Sequence, residues 1–288
     1  MRSFLKKMHF VYESSLKSKQ ADELLNTYFI RPLASLFVGF LYSTPLLPIH
    51  VVMLGSLFGI ASAILIGLGH LVWGGIFLFC KNILDAVDGQ LARARHQEDR
   101  RGRFLDSISD FLINFLVFGA IGWHLSKTDA NTEIWFLVGL AFLSLSLRVS
   151  YFVYYFVAYL HLEQKLTQNR QFEIVTEADG RGDPLTLLLQ RIYIFLYNWQ
   201  DQFIGQLDRW CLAGMKDWSG GTQADFLKWW YSHLPSLRLS SFLGLGTELT
   251  FVILSLILNR LYCYLCFNVL FLNGYAVFVI AYRKHLAK

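Results

Sequence analysis

The sequence predicts an all-α, polytopic membrane protein. It has six transmembrane helices, an N-terminal amphipathic helix lying in the interface, and a cytoplasmic-side helical insertion between the fourth and fifth spans. Three observations carry that class. Hydrophobic residues make up 55% of the 288 and charged residues only 16%, against about 25% charged in average globular chains. Apolar stretches of about 20 residues, the length that crosses a bilayer as a helix, recur along the chain. Phe, Tyr and Trp number 25, 14 and 8, which suits aromatic belts at membrane interfaces.

The net charge of +5 does not point to nucleic acid, because the basic residues flank apolar spans and form no single stripe. Cys263 and Cys266 form a C-x-x-C inside an apolar run, while Cys80 and Cys211 stand alone. They read as packing residues, with a metal or redox pair as the lesser alternative. The eight histidines are scattered without metal-ligand spacing.

Residues 1–46 form an arm and the interfacial helix. Arg2, Lys6, Lys7, Lys17 and Lys19 make the first twenty residues basic. That stretch has no uninterrupted apolar core, so no cleavable signal is expected. From Leu24 to Tyr42, the residues Leu33, Leu36, Phe37, Phe40 and Leu41 recur at helical spacing, with Arg31-Pro32 as the helix start. A short first span is the alternative to a helix lying along the membrane. Thr44-Pro45 to Pro48 is a break. Residues 47–160 hold four spans, at 49–67, 70–91, 104–125 and 133–160. Residues 242–288 hold the last two, at 242–259 and 262–282, with a tight turn at Asn259-Arg260 and a basic tail.

Five arginines (Arg93, Arg95, Arg100, Arg101 and Arg103) crowd the link between spans two and three. That link is therefore expected in the cytoplasm. Six spans then place both termini inside, in agreement with Arg283, Lys284 and Lys288, while the outer turns hold only Lys127 and Arg260. Residues 161–241 are too long and polar for a turn. Ile192, Phe195, Leu196 and Trp199 form one apolar stripe and Phe203, Ile204, Leu207 and Trp210 another, with Gln190, Arg191, Asn198 and Asp201 between. Amphipathic helices on the bilayer are expected, starting at Asp183-Pro184, with a loop over Lys216–Thr222. The segment is either a membrane-resting insertion or a wall or lid for a substrate.

The stretch from Asp85 to Asp110 is the most informative. It reads D-x-x-D-G-x-x-A-R, eight residues, then G-x-x-x-D-x-x-x-D. Carboxylates at the edge of a membrane segment are costly and are kept mainly for a task. Asp85 and Asp88 share one helical face, and so do Asp106 and Asp110. The two helices are antiparallel neighbours, so four carboxylates should converge. Such a cluster needs counter-charge, and hard oxygen ligands without Cys or His favour Mg²⁺, Mn²⁺ or Ca²⁺. Four carboxylates suit two ions, which can clamp a phosphoryl group under in-line attack. Gly89 should let a ligand approach the backbone, Ala92 should keep the next turn small, Arg93 should grip a phosphate, and Gly102 should let the chain bend before span three.

This stretch resembles the signature of the CDP-alcohol phosphotransferase family at every defined position, and the six-span layout is similar too. The arm and Arg31-Pro32 are also similar to those of bacterial members. The resemblance implies a CDP-alcohol donor, an alcohol acceptor, a phosphodiester product and release of CMP, most naturally in phospholipid biosynthesis. It implies two divalent cations, Mg²⁺ or Mn²⁺, with Asp85, Asp88, Asp106 and Asp110 as ligands and Asp110 also as general base. Asp85, Asp88, Gly89, Ala92, Arg93 and Gly102 would shape the CDP site. A homodimer in a bacterial inner membrane, with its site facing the cytoplasm, is implied as well. One departure stands at Pro48-Ile49-His50-Val51-Val52, where Ile49 and Val52 replace the Asn and Thr of the P-N-x-V-T that members often carry.

Two further charges sit in apolar surroundings. Lys81 either pairs with Asp85 one turn on or reaches a substrate phosphate. Arg148, inside span four, either faces the polar cavity and holds an acceptor's phosphate or hydroxyls, or forms a buried structural pair. Two other functions compete. Intramembrane prenyltransferases also bind Mg²⁺–diphosphate through aspartates, and Asn82 to Asp88 is faintly similar to their first motif, but they lack G-x-x-A-R. A cation transporter would instead need a membrane-central site. The substrates stay open: a lipid-linked donor with a small polar acceptor, or a CDP-linked head group with a lipid or polyol acceptor.

Overall fold

Pro48 opens the first long helix, where a missing N–H costs nothing, and the ring Nδ1 of His50 accepts the Leu47 N–H at 3.1 Å. His50 thus supplies a polar cap in the corner where Ile49 and Val52 have none. In the computed structural model, residues 21–128, 132–163, 173–180, 182–213 and 222–287 are described, and every regular element among them is helical. The basic arm at 1–20 lies outside the described residues.

A π-helical segment, Asn26–Ile30, runs without a break into α1 (Arg31–Leu41). The helix therefore starts before Arg31-Pro32, contrary to the expectation from sequence. Pro32 has no N–H for the usual bond, and one turn widens around it. The Arg31 N–H reaches back five residues to the Asn26 carbonyl, as in a π-bulge. The inner face of α1, Ala34 and Val38, is buried with Val51, Ile83, Val87 and Leu91, while Phe37 and Phe40 face outward.

The bundle follows as α2 (Pro48–Gly67), α3 (Leu71–Ala94), α4 (Arg100–Thr128) and α5 (Glu133–Leu162). Close approach depends on small residues: a Cβ at Gly59 would lie 2.7 Å from Ile113, and one at Gly74 would lie 2.6 Å from Ile66. Leu57, Ile64, Trp73, Phe115 and Phe136 face outward, as expected of helices that meet lipid. The insertion holds a turn of helix at Glu177–Gly180, then α6 (Pro184–Leu212), α7 (Gln223–Ser232) and α8 (Leu234–Ser241). Asp183 caps α6 by accepting the Thr186 N–H at 3.0 Å. Most of the expected loop before Thr222 lies outside the described residues. The last hairpin is α9 (Leu245–Ile257), then α10 (Leu261–Cys266), which passes through a π segment, Phe267–Leu272, into α11 (Asn273–Leu286). Asn259 makes the turn between them with φ 52°.

Five stretches are long and apolar enough to cross a membrane: Pro48–Gly67, Arg100–Lys127, Glu133–Leu162, Gln223–Ile257 and Leu261–Leu286. The sixth expected span, α3, is 24 residues long, but Lys81, Asp85, Asp88 and Arg93 make its C-terminal part polar. The fifth apolar run starts well before residue 242, because α9 has only 13 residues. At 1.5 Å each it covers about 20 Å of a core of about 30 Å.

Candidate active site

The chain turns between α3 and α4 at residues 95–99, where His96 has φ 53°. Gly102 does not make that bend. It lies inside α4, and a Cβ there would meet nothing within 4 Å. Arg95 fixes the corner by donating to the carbonyls of Leu41, Tyr42, Thr44 and Leu46, which ties the end of α1 to the end of α3.

With the helices so joined, one carboxylate oxygen from each of Asp85, Asp88 and Asp106 lies within 4.8 Å of the others. Asp110 stands beside this trio, and Lys81 forms an ion pair with it while lying 3.5 Å from Asp85. Lys81 is buried. Its contact with Asp110 crosses from one helix to the other, which sequence spacing on α3 alone does not reveal. The expected fourfold convergence is therefore a trio plus an Asp110–Lys81 pair. All four aspartates line a cavity of about 350 Å³ together with Gly89, Arg31, Arg93 and Arg103. A Cβ at Gly89 would sit 3.3 Å from the Arg93 guanidinium, so Gly89 leaves room for Arg93 to fold back along the helix. Ala92 and Gly102 do not line the cavity.

Arg148 is corrected to its structural reading. It is buried, pairs with Glu248, and donates to the Asn268 carbonyl at 3.1 Å and to the Asn273 side chain. It lines neither cavity at the site. A charge inside a bundle needs a partner, and α9 to α11 supply one.

Sequence reasoning missed the contribution of the flanking segments. Asp22 pairs with Arg31 at the rim. Glu23 reaches the start of α9 and accepts the Thr247 N–H at 3.0 Å. Burial, helped by the neighbouring Asp22 carboxylate, pushes Glu23 up to about 8. From the insertion, α6 forms one wall of the cavity through Tyr193 and Asp201. The Tyr197 hydroxyl donates to the Ser107 carbonyl at 2.8 Å, the Tyr193 ring packs 5.4 Å from Phe104, and the Ser150 hydroxyl donates to Gln200 at 2.6 Å. Asp201 lies on that wall facing the aspartates, with burial pushing its carboxyl up to about 7. An ionic clamp holds the wall's start. Arg100 donates to Glu173 at 2.8 Å and to Asp179 at 2.5 Å, and Arg103 donates to Glu173 at 2.9 Å. The Arg100 and Thr176 hydrogen bonds hold Asp179 well below the usual carboxylate range. The one sequence signal of this wall was the polar line through Gln190 and Asp201 between two apolar stripes.

Three curated proteins are similar to parts of this chain. The chain is 36% identical over 104 residues to a bifunctional IPC transferase and DIPP synthase of Thermococcus kodakarensis, covering 36% of this chain and 23% of that protein. It is 33% identical over 84 residues to a phosphatidylinositol phosphate synthase of Mycobacteroides abscessus, covering 27% of this chain and 38% of the relative. It is 32% identical over 113 residues to a phosphatidylinositol phosphate synthase of Streptomyces avermitilis, covering 38% and 46%. The chain thus spans less than half the length of each of these curated relatives. The sequence profile of the CDP-alcohol phosphatidyltransferases matches residues 45–218, more than half of the 288 and the whole aspartate site, and the chain belongs to that family.

Proposed function

We propose that this protein transfers a substituted phosphate group from a CDP-alcohol to an acceptor hydroxyl, forming a phosphodiester and releasing CMP, in phospholipid biosynthesis. The observation that carries the reading is the trio of carboxylate oxygens from Asp85, Asp88 and Asp106 within 4.8 Å, beside a cavity with three arginines. An all-oxygen donor set fits hard divalent cations. Asp85, Asp88 and Asp106 would hold two of them, Mg²⁺ or Mn²⁺, with Asp110 completing the set. When bound, they supply positive charge to the diphosphate and to the departing CMP.

The chain's own residues do the rest. Arg93 folds over Gly89 into the cavity, where it can neutralise a phosphate with paired N–H groups. Gly89 keeps the backbone beside Asp88 open on the CDP side. Lys81 orients Asp110 through their ion pair. Asp110 takes the proton of the acceptor hydroxyl. The acceptor oxygen then bonds to phosphorus, and the bond from that phosphorus to the CMP oxygen breaks, its electron pair leaving with CMP.

The relatives named as phosphatidylinositol phosphate synthases favour a phospholipid product. The arginine cluster between α3 and α4 supports a cytoplasm-facing site. A bacterial inner membrane and a homodimer follow from the family resemblance. The test is CMP release by the purified protein with Mg²⁺ or Mn²⁺ and a panel of CDP-alcohols. Asp110→Asn should lose about 10²–10⁴ of the rate while keeping its affinity for CDP ligands. Wild-type turnover by that variant refutes the base assignment, and no CMP with any donor refutes the reaction.

A further inference from the structure

Arg31 lies outside the Asp85–Asp110 signature, yet it lines the same cavity as Arg93. Burial pushes the Arg93 guanidinium down to about 10, and the nearby Arg31 charge acts in the same direction. Two like charges thus share one buried space, an arrangement that costs energy unless an anion joins them. The cavity's third arginine, Arg103, donates to Glu173 at 2.9 Å. Arg31 is held differently. Its Nη2 pairs with the Asp22 carboxylate, while its Nη1 is buried and has no hydrogen-bond partner among the described residues. A guanidinium presents its donors as a fork that suits two phosphate oxygens. On Arg31 the protein uses one prong and leaves the other.

The backbone keeps this group in place. The Arg31 N–H reaches the Asn26 carbonyl through the widened turn before Pro32. The Arg31 carbonyl accepts the Gln90 side-chain amide at 3.1 Å, which ties it to α3 one residue after Gly89. Upstream, Glu23 is anchored on the Thr247 N–H. Gly244 and Gly246 make room for that segment, since a Cβ at the first would collide with Glu23 and one at the second with Asn26. Asp22 and Arg31 are both at least nine-tenths buried. Asp22 is therefore a fixed oxyanion on a fixed segment, and a phosphate entering the cavity competes with it for the same fork.

We infer that Arg31 is a phosphate-binding residue of the donor site, which grips the phosphates of the CDP-alcohol together with Arg93, and that Asp22 is the stand-in anion those phosphates displace from it. The inference rests on the transferase reading above and adds two residues to it. Asp22 then acts on affinity from the other direction. It neutralises Arg31 between turnovers, and its own charge opposes a bound phosphate. After transfer, the return of Asp22 to Arg31 helps CMP to leave.

The experiment measures the affinity of CMP and of cytidine by calorimetry, on the full chain in detergent with Mg²⁺. Wild type is compared with Asp22→Asn, Arg31→Gln and the double variant, and a thermal midpoint checks the fold of each. The double variant leaves neither charge buried without its partner, so it carries the test if Arg31→Gln alone does not fold. CMP affinity should fall about tenfold to a hundredfold in both variants that lack Arg31. It should rise in Asp22→Asn, and cytidine affinity should be the same in all four. A purely structural pair gives another pattern: each single variant weakens CMP binding and the double variant recovers it. That pattern overturns the proposal, as does wild-type CMP affinity in a folded variant lacking Arg31, and both leave the transferase reading standing. A wild type that neither binds CMP nor releases it from any CDP-alcohol sinks the transferase reading, and this proposal falls with it.

Discussion

Lys81 shows how one side chain can set the chemistry of a site. It is the cation that touches both helices of the aspartate cluster, pairing with Asp110 and Asp85. Lys81→Met should lower kcat far more than it raises the KM for the CDP donor, because Asp110 loses its orienting partner. The variant's carboxylates would also lose their fixed counter-charge, so added Mg²⁺ should raise its thermal midpoint by more than it raises the wild type's. Equal shifts would show that Lys81 does not neutralise the cluster. Glu23 gives a prediction in pH. Its folded-state value, near 8, lies above the ordinary 4.5, so folding favours the protonated form. That contribution is complete below about pH 4.5 and is lost as pH rises toward 8. Glu23→Gln stays uncharged and can still accept the Thr247 N–H. Its thermal midpoint between pH 5 and 8 should therefore fall less steeply than wild type's, and parallel curves would refute the assignment.

At the scale of elements, burial of a polar face explains what α6 does. Its outward side carries Phe195, Trp199, Phe203 and Trp210, while Gln190, Gln200 and Asp208 are buried. It is an amphipathic helix with its polar side turned to the protein and its apolar side turned out, the orientation a membrane solvent selects. Asp208 fastens it by accepting from the Tyr155 and Tyr231 hydroxyls, each at 2.7 Å, and from the Trp230 indole at 2.9 Å. Arg148 plays the matching part for the last hairpin. The carbonyl it takes from Asn268 lies within the π segment Phe267–Leu272. Arg148→Ala leaves Glu248 buried without its cation and should cost about 3–5 kcal/mol, read as a lower unfolding midpoint in detergent. The double variant Arg148→Met/Glu248→Leu should recover much of that loss. If the folded single variant shows a raised acceptor KM instead, Arg148 belongs to the site after all.

For the whole molecule, the decisive variable is the divalent cation. If the trio binds it in the folded state alone, excess Mg²⁺ or Mn²⁺ at about 100 times its Kd should stabilise the protein by about 2.7 kcal/mol. Asp88→Asn should abolish the shift, and a metal-independent midpoint would refute the ligand assignment. Much of this was legible in the chain itself. Apolar run length gave the helices and their order, because backbone polar groups in lipid must be satisfied within a helix. The i, i+3 and i, i+4 spacing of aspartates on two antiparallel neighbours gave the carboxylate cluster, because helical periodicity fixes which side chains share a face. Other features depend on contacts between residues far apart in sequence, and no local pattern encodes those. The Lys81–Asp110 pair spans 29 positions and the Arg148–Glu248 pair spans 100. Glu23 caps a helix 224 residues away. The sequence by itself determined the all-helical membrane class, the aspartates and the family. Tertiary packing alone decided which aspartate is held by a lysine, which buried arginine is structural, and that α6 stands against the site, because each of those depends on which helix faces which.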